Sequence, residues 1–219
     1  KLTDWGAHHL DIAQWALGYD HSGPVAAEGR GQFPNFPDDV DPVDFFAGRA
    51  KLPNGFNTAT TFEATLTFAN GSSIVAIPGE NGILLEGELG RIHVNRGRIT
   101  GKPIEDLTAA DRNHFANEVV RLYKGRPIDP DSTATAGTNS GIDQATPDQM
   151  ANFVASVRDR QEPIADVFTH HRSVSSCHLC NIAMLLRRKL RWDPDREDFV
   201  SDQQASALVS RPQREPFTI

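Results

Sequence analysis

Apolar residues near the start of the chain recur at helical spacing. Leu10, Ala13, Ala16 and Leu17 line one side of a stretch from Trp5 to Leu17, which is the period of an amphipathic helix. Thr3 or Asp4 can cap its start, and Gly18 fits its end. The pattern then changes. Pro24 to Gln32 predicts a short strand, and Pro34 to Pro53 an irregular segment. Phe33, Phe36, Phe45 and Phe46 in that region are assigned to a satellite of the core rather than to ligand contacts.

A clear β pattern follows. Thr58 to Phe68 alternates, with Phe62, Ala64, Leu66 and Phe68 on one face. Asn70-Gly71 supplies a turn with positive φ, and Ser73 to Ile77 returns. Ile83 to Leu85 and Arg91 to Asn95 predict two more strands, linked around Glu88-Leu89-Gly90. Arg96-Gly97 reads as another turn, and Arg98 to Gly101 as a short last strand. Gly82, Gly87, Gly90 and Gly97 suit turns and bulges. No helix start follows them, so they do not form a phosphate cradle. The run reads as one antiparallel meander.

After Pro103 the pattern is helical. Asp111 to Lys124 places Phe115, Val119 and Leu122 on one side, with Gly125 as a stop. Asp129 to Ala145 reads as an exposed loop. Pro147 starts another helix, with Met150, Phe153, Val154 and Val157 apolar, and Pro163 interrupts. A longer helix runs from His171 to Lys189, with Val174, Leu179, Ile182, Ala183 and Leu186 inward. Leu190 to Trp192 is extended, Asp193-Pro194 is a turn, and Ser201 to Leu208 is a last helix. Grouped strands with helices before and after them predict an α+β fold. The strand run predicts a largely antiparallel sheet, and the length of 219 residues fits one large domain or one and a half ordinary ones.

The formal net charge of −7 argues against a nucleic-acid partner and against a polybasic membrane patch. No apolar run approaches the roughly 18 residues that a membrane helix needs. The two cysteines, Cys177 and Cys180, do not make a disulfide scaffold. Their C-x-x-C spacing has no second pair and lies in an apolar helix, which predicts buried thiols rather than zinc or redox chemistry.

Candidate chemistry is concentrated in Asp4, His8 and Asp11, at i, i+4 and i+7 on one helical face. A carboxylate one turn from an imidazole can orient it and raise its proton affinity, which makes an acid/base pair near neutral pH. The competing reading has Asp4 as a cap, Asp11 on a solvated face and His8 in the core. His9 is turned roughly 100° away and receives no role. The adjacent histidines with Asp11 lack an i, i+4 His pair, so no metal site is assigned. His170, His171 and His178 form a second cluster, with His171 and His178 on one face around Ser175. A polar helix start explains them equally well. No Gly-x-Ser-x-Gly elbow occurs, no serine lies in a triad arrangement, and no glycosidase pair stands out by spacing. No Gly-x-Gly-x-x-Gly turn joins a strand to a helix, so no dinucleotide-binding unit lies in these residues.

Asp4-x-x-x-His8-x-x-Asp11 resembles a signature of the glucose–fructose oxidoreductase / inositol dehydrogenase / rhizopine-catabolism (Gfo/Idh/MocA) family. The context from Lys1 to Trp15 is especially like its planctomycete-type bacterial branch. Gly82-Ile-Leu-Leu-Glu-Gly87-Glu-Leu-Gly90 resembles the family's sheet hairpin, and His171 to Ala183 its late helix. Trp192-Asp-Pro and the stretch from Ala207 to Pro216 resemble its tail. The resemblance implies that residues 1–219 are the family's C-terminal domain, an α+β unit with a large, mostly antiparallel open sheet flanked by helices, which often makes the oligomer interface. It implies a homodimer or homotetramer through the sheet.

The resemblance further implies NAD- or NADP-dependent oxidation of a secondary alcohol of a sugar, glycoside or cyclitol. His8 would accept the hydroxyl proton, assisted by a lysine of a separate nucleotide-binding Rossmann domain that is not in these residues. Asp4 would bind substrate hydroxyls and tune that lysine or His8, and Asp11 would orient His8 or the helix. His171 and Arg172 would reach the same sugar-like substrate from the late helix. The chain opens on Lys1 within the motif, so we expect residues upstream; branch members exported by a twin-arginine signal leave both cytoplasm and periplasm open. Two rival readings remain: a stand-alone carbohydrate hydrolase or lyase, metal-assisted or not, and a non-catalytic sugar-binding or assembly domain.

Overall fold

The computed structural model describes residues 2–53, 55–79, 81–95, 98–122 and 139–216. It is an α+β protein whose strand pairs, among the described residues, are all antiparallel. The residues gather into two compact units, 1–79 with 167–219 and 80–166.

The first unit begins with helix α1 (Trp5–Ala16) and strand β1 (Ala26–Gln32). Within the stretch expected to be irregular, Pro42–Phe46 forms a short helix, α2. Its cap was legible: Asp41 accepts from the Val43 amide at 2.8 Å, and Pro42 occupies the first turn, where its missing N–H costs nothing. Phe36, Phe45 and Phe46 stack edge to face around it. Strands β2 (Thr61–Thr67) and β3 (Ser73–Ala76) form the expected hairpin through Asn70-Gly71, with Gly71 at φ 86°.

Helix α5 (Val167–Leu186), strands β7 (Leu190–Asp193) and β8 (Asp198–Phe199) and helix α6 (Gln203–Ser206) complete this unit. The sheet order is β3-β2-β1-β7-β8. The expected single meander is corrected here. β1, far upstream of the hairpin, pairs along its whole length with β2 and then with β7. The strands after β3 belong to another sheet.

Helix α5 covers one face of the sheet, and the core lies between them. Leu66, Phe68, Cys177, Leu179, Cys180, Ala183 and Met184 are among its buried members. β1 accommodates the helix by alternating glycine with charge: Gly29 and Gly31 lie under Met184, while Glu28 and Arg30 point to the other face. A β-carbon at Gly29 would crowd Met184, Glu63 and Ala64 at 2.9–3.1 Å, and one at Gly31 would press on Phe33, Ala59 and Met184 at 3.1–3.3 Å.

The second unit contains β4 (Ile83–Gly87), β5 (Gly90–Asn95) and β6 (Arg98–Thr100) as a separate three-stranded sheet. Gly101, at φ 96°, passes so close to the Arg91 carbonyl that a β-carbon would overlap it. Helix α3 (Ala109–Leu122) starts with a reciprocal cap. The Thr108 hydroxyl and amide donate to Asp111 at 2.6 and 2.9 Å, and the Asp111 amide donates back to the Thr108 hydroxyl at 3.2 Å.

Helix α4 spans Asn139–Asp159 with Pro147 inside it. That corrects two expectations, a loop through Ala145 and a helix beginning at Pro147. A proline removes one helical N–H and crowds the preceding turn, but a helix can continue around it. The remainder of that expected loop, residues 129–138, lies outside the described residues, as do the turn at Arg96-Gly97 and the stop at Gly125. Among the described residues no helix is long and apolar enough to cross a membrane.

Candidate functional site

Helix α1 carries the predicted acid/base face. Its buried arc, Leu10, Ala13 and Gln14, packs on α5 and sets which side chains turn outward. Asp4 occupies the position before the first turn. Its carbonyl accepts from the Ala7 amide at 3.1 Å, yet its side chain makes no capping hydrogen bond. The exposed carboxylate is therefore not used by the helix. His8 is exposed, so the reading that packed it in the core does not hold. Its ring stands 6.3 Å from the Trp5 ring, edge to face at 65°. Trp5, Ile12 and Trp15 continue this outward face as exposed apolar residues.

Asp11 behaves differently. Half-buried, it accepts from the Ser173 hydroxyl of α5 at 2.6 Å. One turn along, Gln14 is completely buried and accepts from the Ser176 hydroxyl at 2.7 Å. The Gln14 amide group donates to the Tyr19 and Ser22 carbonyls at 3.0 and 3.4 Å, which ties down the chain leaving α1. Among the described residues, no hydrogen bond joins Asp4 or Asp11 to His8.

His171 and Arg172 are committed elsewhere on α5. Glu197 lies in the turn between β7 and β8 at φ 52°. Its Oε1 contacts His171 Nε2 at 2.8 Å and Arg172 Nη1 at 2.9 Å. Arg172 also donates to the Pro194 carbonyl at 2.5 Å. These two side chains hold the β7–β8 hairpin, and among the described residues neither bonds to His8 or Asp4.

Cys177 and Cys180 are buried free thiols. Burial, together with the nearby Asp11 charge, pushes the Cys177 thiol up to about 12. Burial raises Cys180 as well, reinforced by Cys177. Neither is poised as a nucleophile, because the thiolate is the reactive form. Among the described residues no group of three His, Cys, Asp or Glu side chains converges as metal ligands would.

A cavity of about 360 Å³ lies on the rim of the first sheet, lined in part by Glu28, Arg30, Glu63 and Arg188. Its cations are neutralised in pairs. Arg30 meets Glu63 at 2.6 Å, Lys189 meets Glu28 at 3.0 Å, Arg188 meets Asp202 at 2.8 Å, and Arg187 meets Asp38. No unmatched charge is left there to recognise an anion.

A dinucleotide is held by a glycine-rich turn between parallel strand and helix. Among the described residues the strand pairs are all antiparallel.

Sequence reasoning missed Gln14, Ser173, Ser176 and Glu197. The signal for three of them was present: a glutamine inside the apolar arc of α1, and two serines spaced three apart on the inward side of α5. Glu197 gave no local signal, since its partners are brought to it by the β7–β8 turn.

No curated protein matches the chain. Among solved structures, the chain is similar to a protein assigned as a myo-inositol dehydrogenase from Sinorhizobium meliloti 1021. The identity is 11% and the TM-score 0.43, over 87% of this chain and 50% of that one. The chain thus spans about half the length of that structure. Residues 134–219, which take in α4, α5, β7, β8 and α6, match the family model for the C-terminal alpha/beta domain of the Gfo/Idh/MocA oxidoreductases.

Proposed function

We propose that this chain is the substrate domain of an NAD(P)-dependent oxidoreductase that acts on a secondary alcohol of a sugar, glycoside or cyclitol. The observation that carries the reading is the match of residues 134–219 to an oxidoreductase C-terminal domain. The exposed His8–Asp4 face of α1, whose buried arc packs on the matched helix α5, supplies the chemistry.

His8 accepts the proton that leaves the hydroxyl as the alcohol is oxidised. Its exposed imidazole can take that proton and pass it to water. Asp4, with no helix amide to serve, accepts hydrogen bonds from neighbouring hydroxyls and fixes which carbon faces the imidazole. The nucleotide is held by residues other than those described. Assembly as a homodimer or homotetramer through the first sheet belongs to the same reading; its face away from α5 presents Thr65 and the exposed Val75.

The test is NAD- and NADP-linked oxidation of a panel of hexoses, glycosides and myo-inositol by the intact protein, with wild type and His8→Asn compared. We expect oxidation of at least one member, and a loss of about 10²–10⁴-fold in kcat for His8→Asn with unchanged thermal unfolding. No turnover on any member, or near-normal kcat in the variant, overturns the reading.

A further inference from the structure

Asp11 stands at the seam between the buried and exposed arcs of α1. Three helical residues turn a side chain through about 300°, so Asp11 lies about 60° from His8 on one side and about 60° from Gln14 on the other. Gln14 is wholly buried and His8 is exposed. The Asp11–Ser173 bond at 2.6 Å and the Gln14–Ser176 bond at 2.7 Å are therefore two rungs between α1 and α5, one turn apart on each helix. One rung alone leaves a helix free to roll about it. Two rungs, with Leu10 and Ala13 packed beside them, fix roll and register together.

We propose that Asp11 and Ser173 are positioning residues: the rung they form, with Gln14–Ser176 behind it, sets the roll of α1 on α5 and so the direction in which His8 leaves the helix. The Asp11 carboxylate stays on Ser173 and is not a partner of the His8 imidazole. This differs from a role in which Asp11 orients His8 directly or binds substrate. It rests on the proposed function only in naming His8 as the group that matters.

The site is suited to a clean test, because each partner can lose the other without stranding a buried group. The Ser173 hydroxyl, 5% exposed, has a second acceptor in the Thr169 carbonyl at 3.2 Å on its own helix. Asp11 is half-buried and can turn to water. Neither deletion creates the unsatisfied buried polar atom that usually dominates such losses.

The experiment is a pH titration of the His8 imidazole by NMR in the intact protein, which needs no substrate and no turnover. It compares wild type, Asp11→Asn, Ser173→Ala, and Asp11→Ala alone and with Ser173→Ala. Asp11→Asn keeps the acceptor oxygen while removing the charge. We expect its His8 resonances to stay near wild type, with the midpoint displaced by less than half a pH unit. Ser173→Ala leaves the Asp11 charge in place, yet should shift and broaden those resonances, as Asp11→Ala does. The double variant should add nothing to either single change.

A midpoint displaced by one unit or more in Asp11→Asn would show direct coupling to the imidazole and overturn the proposal. Unchanged His8 resonances in Ser173→Ala would overturn it equally. If Asp11→Ala does not fold, the first two variants still decide. A His8 that titrates as expected in a protein that oxidises no sugar would overturn the function and leave the positioning intact.

Discussion

Gly29 of β1 lies directly beneath Met184 of α5. A methyl group on Gly29 would stand 2.9 Å from Met184 Cγ, 3.0 Å from the Glu63 carbonyl oxygen and 3.1 Å from Ala64 Cβ. Two of those neighbours are backbone or the first atom of a side chain, so they cannot swing aside. We expect Gly29→Ala to destabilise the first unit by about 1–3 kcal/mol through overpacking. Chemical denaturation with a midpoint unchanged from wild type would show that α5 can lift from the sheet at no cost.

The buried thiols give a second prediction. An ordinary thiol ionises near about 8.5, whereas Cys177 is held up to about 12. At pH 8 the folded protein should react with iodoacetamide far more slowly than a free thiol, at both Cys177 and Cys180. Both should label at once in denaturant. Mass-resolved labelling checks this; prompt modification of either residue in the native protein would mean that the α1–α5 contact opens readily.

A third prediction concerns acid. Hydrogen bonds from the Thr108 hydroxyl and amide hold the Asp111 carboxyl below its ordinary range, and His114 adds to the effect. Because the folded value is depressed, the stabilisation is complete above the unfolded carboxylate value of about 3.9 and fades as pH falls through the lower folded value. Helix α3 should therefore persist just below the ordinary carboxylate range and weaken at still lower pH. In Asp111→Asn that acid step should disappear, as followed by circular dichroism between pH 5 and about 2. An identical acid profile in both proteins would remove Asp111 as the cap.

The parts of this structure that were legible in the sequence are those set by near neighbours. Leu10, Ala13 and Leu17 announced α1, and Phe62 to Phe68 with Asn70-Gly71 announced the β2–β3 hairpin, because periodicity and turn chemistry act over a few residues. The polar face of α1 was legible for the same reason. Position alone, however, could not divide its labour: Asp11 turns inward to a serine that follows it by 162 residues, while His8 stays in the open.

The sheet order was hidden because β1 carries no apolar alternation of its own. Its inner positions are alanine and glycine, which read as a weak strand in isolation and make sense only under α5. The early start of α4 was hidden by Pro147, whose usual place is the first turn.

The pairing of β1 with β7 has a consequence for how this chain is made. Ala26 and Ala27 sit opposite Arg191 and Leu190, and the Trp192 amide reaches back to the Val25 carbonyl at 2.9 Å. During synthesis β1, β2 and β3 can assemble as soon as they leave the ribosome. One edge of β1 must then wait, unpaired, while the whole segment 80–166 and helix α5 are translated. Throughout that interval the underside of the nascent sheet, with Leu66 and Phe68, is bare of the helix that will bury it. The first unit is therefore completed only once β7 has been made, and until then it presents an open strand edge of the kind that chaperones bind.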